Sequence, residues 1–348
     1  MYTDYEKAMN SWLIYRYLYD TRLTFDERIL PNFYEPDGPY YNVSTSDDIE
    51  SSILDYIKPF FENEGDTALM LSGGIDSGIL ASYVPKKTMA FTMTDGNNTS
   101  EVAGAKKYVE ANNLRHEIIS TGWDDYKEYA PMLMRQKGAP IHSIEVQIYK
   151  TAVYAREQGY NFLLFGELAD TVFGGLSGLF LKDWTIDEFF HRYAFVDPFR
   201  VLKKPLKLDE PIRKSTGADG LVDTHGFLNW CFLRQSAGGY TNPCDLAKIK
   251  FLAPYGKMRM AEKLDVDRVR YGDNKYLIRE LFNRRYPDFI APEKTPMPRA
   301  VDEYLADWSG PIRPEFLEHI DISKLTGDEK WYIYCLEWFL DIIENEDW

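Results

Sequence analysis

Residues 72–77 read SGGIDS and break an otherwise apolar run, "LMLSGGIDSGIL". A strand that ends in Ser-Gly-Gly and runs into a helix can present successive backbone N–H groups to an anion. Glycines at 73 and 74 let the backbone bend and approach a phosphate with no Cβ in the way. Ser72 and Ser77 can add hydroxyl donors. The stretch lacks the G-x-x-x-x-G-K-[ST] pattern, and it carries an aspartate and no lysine. A carboxylate inside a phosphate-binding loop calls for a divalent cation between the two. Asp76 is therefore a candidate Mg²⁺ ligand, because Mg²⁺ takes one or two carboxylates together with substrate phosphates. A second stretch with chemistry in it, "FGELADTVFGG" at 165–175, offers the carboxylates Glu167 and Asp170.

The elements around these stretches alternate. "TALML" (67–71) reads as a buried strand and "SGILASYV" (77–84) as a helix, followed by a strand at 88–94 and a helix at 99–113. A third strand at 115–121, two helical stretches at 123–136 and 143–158, and a fourth strand at 161–167 complete the pattern. Alternation of this kind predicts right-handed crossovers, an α/β fold and a parallel sheet with flanking helices. Ligands on such sheets bind at the carboxyl ends of the strands, where both stretches lie. Upstream, the apolar positions from Asp47 to Glu62 recur at helical spacing, and residues 1 to about 44 read as short extended pieces joined by turns. The expected organisation is a linker-like segment of strands and a helix at 1–65, an α/β unit at 66–180, and a mainly helical region at 181–348.

The paired motifs resemble a known group. SGGIDS is similar to the S-G-G-x-D-S signature of the PP-loop ATP pyrophosphatases, and FGELADTVFGG is similar to the G-E-G-A-D-E-x-F-G-G of the asparagine synthetase family. "KYLIRELFNRRYPDFIAPEKTPMP" resembles that family's K-x-x-L-R…P…K segment. The resemblance runs from about residue 10 to 300. It implies a PP-loop/adenine nucleotide alpha hydrolase-like fold, with ATP and Mg²⁺ as cofactors. It also implies that the loop grips the β- and γ-phosphates, so that products are an adenylated substrate and pyrophosphate.

Residue by residue, the resemblance implies that Ser72, Gly73, Gly74, Asp76 and Ser77 form the pyrophosphate loop. Leu71 and Met93 neighbour the adenine, and Gly166 lies beside the nucleotide. Glu167 is the acid–base residue, Asp170 a second metal-linked carboxylate, and Lys294 the lysine that stabilises transition-state charge. Lys275 and Arg279, at i and i+4, support the fold or the phosphates. Three positions depart from the pattern: Leu168 replaces a glycine, Thr171 replaces an acid, and Phe165 stands where serine is usual. These departures bear on the substrate. The family usually begins with a glutaminase domain, whereas residue 2 here is Tyr and about 65 residues precede the loop strand. The amine is then expected to be free ammonia, the product of a separate glutaminase, or an amine-bearing second substrate.

Composition narrows the partners. The 348 residues carry a net charge of −15, and an acidic surface repels phosphate backbones, which argues against nucleic acid. Cys231, Cys244 and Cys335 form no C-x-x-C pair, and the five histidines show no ligand spacing. No signal peptide or membrane span is legible, so a cytoplasmic protein is expected. The expected activity is an ATP-dependent amide-forming ligase. The alternatives are a PP-loop enzyme acting on RNA, or a degenerate nucleotide-binding homologue suggested by Leu168 and Thr171.

Overall fold

The computed structural model describes residues 1–63, 65–96, 99–292 and 300–345. Five strands, β1 (Thr67–Met70), β2 (Met89–Thr94), β3 (Arg115–Ser120), β4 (Phe162–Phe165) and β5 (Lys250–Leu252), form one parallel sheet in the order β3-β2-β1-β4-β5. The principal helices are α1 (Tyr5–Tyr15), α2 (Ser46–Ile57), α3 (Ile75–Ala81), α4 (Thr99–Asn112), α5 (Trp123–Lys137) and α6 (Ile144–Glu157). They continue with α7 (Ala169–Val172), α8 (Ile186–Tyr193), α9 (Leu233–Leu246), α10 (Tyr276–Arg285) and α11 (Gly327–Asn345).

Both faces of the sheet are covered, which is why its central strands read as unbroken apolar runs. Side chains alternate along β1. Ala68 and Met70 join a core that contains residues of α1, α5, α6 and α11, while Leu69 and Leu71 join the opposite core with residues of α2, α3 and α10. Every residue of β1 is buried.

Two features differ from the sequence reading. The N-terminal segment contains a helix, α1, started by Asp4, whose side chain accepts from the Lys7 backbone N–H. Trp12 of α1 is fully buried, and its indole N–H donates to the Tyr332 carbonyl of α11 at 3.1 Å. Tyrosine-rich composition suggests extended chain, but burial against α11 overrides that preference. The fifth strand, β5, lies within the stretch expected to be mainly helical. Its three residues are too few to show a period, and only pairing with β4 (Leu163↔Phe251) makes them a strand. Among the described residues, no helix is long and apolar enough to cross a membrane.

Candidate active site

The strand order reverses beside β1. The chain moves outward through β2 and β3 on one side, then returns to β4 on the other. Crevices open at such switch points, outside the carboxyl ends of the strands. Met70 pairs with Phe165, so the loops that follow β1 and β4 leave the sheet level with each other. Gly166 makes their contact possible, because a Cβ there would stand 2.6 Å from the Ser77 backbone nitrogen.

The 72–77 loop is braced from within. Ser72 and Ser77 hydroxyls lie 2.8 Å apart, the Ser72 N–H donates to Ser77 Oγ at 3.0 Å, and the Gly74 N–H donates to Ser72 Oγ at 3.2 Å. Neither Gly73 nor Gly74 has positive φ. Gly73 is glycine for contact instead, since its Cβ would lie 3.1 Å from the Glu101 carbonyl oxygen at the start of α4.

Asp76 sits in the first turn of α3 and Asp170 in α7. Between them lies Lys275, at the N-terminus of α10. Its Nζ donates to both Asp76 carboxylate oxygens at 2.8 and 2.6 Å and stands 3.0 Å from Asp170 Oδ1. Lys275 is 5% exposed, and its backbone is left-handed, with φ 51°. Burial opposes its charge, but the Asp76 and Asp170 carboxylates outweigh that and hold its pKa above the usual lysine value. Gly175 leaves room for Asp170, because a Cβ there would lie 1.8 Å from Asp170 Oδ1. The Tyr255 hydroxyl donates to the Asp76 carbonyl at 3.0 Å and fixes the turn.

These residues fit a divalent cation of the Mg²⁺ type. Two carboxylates of hard oxygen donors already converge on one cation, and a nucleotide's phosphates would complete the set. Among the described residues, no group of three or more His, Cys, Asp or Glu is placed to hold a metal ion.

Glu167 follows β4 and faces the same cavity, partly exposed. The Ser236 hydroxyl donates to its Oε1 at 2.8 Å, and Tyr240 hydrogen-bonds the same carboxylate. Ser236 and Tyr240 are one turn apart on α9. Burial pushes the Glu167 carboxyl above its usual range despite those hydrogen bonds, and nearby Asp170 adds to the rise.

On the far side of the loop, the β1–β2 ladder gives way to side chains. The Leu71 N–H still donates to the Phe91 carbonyl at 2.8 Å. The Leu71 carbonyl, however, accepts from Thr92 Oγ1 at 2.7 Å, and that hydroxyl lies 2.7 Å from His116 Nε2 on β3.

The resulting cavity has a volume of about 570 Å³, within the ~300–1,000 Å³ of typical ligand sites. Leu71, Ser72, Gly73, Gly74, Asp76, Ser77, Met93, Gly166, Glu167 and Asp170 all line it. Lys294 lies outside the described residues. The cavity also takes in Lys107, Tyr240, Asn274, Lys275 and Arg279. Ser236 and Tyr240 were not legible as site residues, because "QSAGGYTN" has no motif spacing and only the packing of α9 turns them toward Glu167.

The three departures have different consequences. Leu168 adopts φ 74°, the left-handed conformation that glycine takes without cost, and its buried side chain packs with Leu233, Ala237 and Ala253. Thr171 is buried and does not line the cavity. Phe165 does line it and meets Tyr240 edge-on, with ring centroids 5.3 Å apart.

A doubly covered parallel sheet with a glycine-bearing loop and two acidic residues at its switch point defines an α/β nucleotide-binding class. The family model described as asparagine synthase matches residues 62–248, more than half of the chain, and the chain belongs to that family. The family is one of ATP-dependent amide-forming synthetases. The matched span holds both loops and α9, while Lys275 and α10 lie beyond it. No curated protein matched the chain.

Proposed function

We propose that the protein is an AMP-forming C–N ligase. The observation that carries this reading is the convergence of Asp76, Asp170, Lys275 and Glu167 on one cavity, with the braced 72–77 loop at its floor. A substrate carboxylate oxygen attacks the α-phosphorus of ATP. A new P–O bond forms, the α–β bridging bond breaks, and pyrophosphate leaves. Ammonia or an amine then attacks the acyl carbon, a C–N bond forms, and AMP departs with the former carboxylate oxygen.

The loop's backbone and Ser72 hold the departing phosphates, and Lys275 supplies a positive charge beside them. Asp76 and Asp170 would hold Mg²⁺, which when bound neutralises phosphate charge. Glu167 accepts the proton that the attacking amine must lose. Its raised pKa suits a general base working nearer neutrality, and Ser236 and Tyr240 aim it. Leu71 and Met93 flank the slot assigned to adenine.

The test is to incubate the protein with MgATP, a panel of carboxylates and an amine or ammonium, and to measure nucleotide and phosphate products. AMP and pyrophosphate in equal amounts are expected, with activity lost in Asp76→Ala. ADP and orthophosphate, or full turnover by Asp76→Ala, would refute the reading.

A further inference from the structure

Lys275 holds both carboxylates assigned to the metal at once. Its Nζ lies 2.6 Å from Asp76 and 3.0 Å from Asp170, and it comes from an element that shares no motif with either. We propose that the Lys275 ammonium is a built-in stand-in for the divalent cation, which keeps free metal out until the metal arrives with a nucleotide. The inference rests on the reading of Asp76 and Asp170 as the metal carboxylates.

Lys275 stands between the two acids, within hydrogen-bond distance of both. A divalent ion entering alone would stand against a retained ammonium at close range, where two like charges repel strongly in a partly buried site. Expelling the ammonium instead is costly, because Lys275 is 5% exposed and a buried charge without a partner is destabilising. A triphosphate removes that obstacle. It offers the ammonium new oxygen partners within the same cavity and completes the metal's coordination with phosphate oxygens. Metal and nucleotide therefore enter as one complex. Lys275 caps the N-terminus of α10 with a left-handed backbone.

The experiment measures Mn²⁺ binding by electron paramagnetic resonance of the free ion, with and without α,β-methylene-ATP, in wild type, Lys275→Met, Lys275→Gln and Asp76→Asn. Circular dichroism melts establish folding, and Lys275→Gln keeps a hydrogen-bond donor for the carboxylates should Lys275→Met fail to fold. Wild type is expected to bind Mn²⁺ tightly only with the nucleotide analogue. Without nucleotide, the Lys275 variants are expected to bind it roughly tenfold to a hundredfold more tightly than wild type, the scale of one or two lost charge-assisted hydrogen bonds. Adding Asp76→Asn to Lys275→Gln should abolish the gain. Equal nucleotide-free affinity in wild type and the Lys275 variants overturns the stand-in role, while an Asp76-dependent signal with the analogue keeps the metal reading intact. No Asp76-dependent Mn²⁺ under any condition overturns both.

Discussion

Gly104 of α4 lies against Gly73 of the 72–77 loop so closely that a Cβ on Gly104 would stand 2.8 Å from the Gly73 Cα. Two glycines from different elements thus set how near the first helix after β2 comes to the loop after β1. The contact brings α4, with Lys107 and Glu101, into the cavity wall.

Gly104→Ala should therefore weaken both folding and nucleotide binding. Overpacking costs about 1–3 kcal/mol, and alanine's better helix propensity returns roughly 0.5–1 kcal/mol. A net loss of about 0–2.5 kcal/mol in urea unfolding is expected. The dissociation constant for ATP should rise on the order of tenfold, equivalent to about 1.4 kcal/mol of binding. Wild-type nucleotide affinity in a folded Gly104→Ala protein would show that the loop does not depend on this contact.

Leu168 combines a left-handed backbone with a buried side chain, and the two can be separated. Leu168→Ala loses the packing against Leu233, Ala237 and Ala253, at about 2–5 kcal/mol, and keeps the unfavourable φ. Leu168→Gly loses the same packing but releases about 1–2 kcal/mol of backbone strain. The glycine variant should be more stable than the alanine variant by about 1 kcal/mol, the reverse of their usual order inside helices and strands. Urea midpoints measured side by side test this, and an alanine variant more stable than the glycine one contradicts the assigned conformation.

Glu167 makes a prediction in pH. Acting as base, it must be ionised, so kcat/KM should rise with pH through a pKa lying above the ordinary glutamate value of about 4.3, in the direction that burial drives it. Glu167→Gln should lower kcat by roughly 10²–10⁴ and erase that acid limb. Stability follows the opposite course. Because the folded pKa is raised, the carboxyl contributes most below its unfolded pKa, and that contribution is lost as pH rises through the folded value. Glu167→Gln should then be more stable than wild type at neutral pH, and the gap should close below about pH 4. A gap that persists unchanged in acid would remove burial of the charge as its cause.

The two loops, the strands they follow and the paired carboxylates were legible in the residues alone. SGGIDS between apolar runs, and Glu167 and Asp170 after a fourth strand, are local patterns. Strand and helix periods are set by neighbours within a few positions. The same locality explains what stayed hidden. Lys275 stands 199 positions from Asp76; its own segment suggests support for the fold or the phosphates, but not that it is the cation between two acids. Ser236 and Tyr240 become partners of Glu167 only because α9 packs beside the end of β4. α1 is held by burial against α11, and β5 by pairing with β4. Sequence alone determined the chemistry each segment could offer and the α/β order in which the segments come. Tertiary structure decided which charges meet, because burial and hydrogen bonding act between residues that are close in space, whatever their separation along the chain.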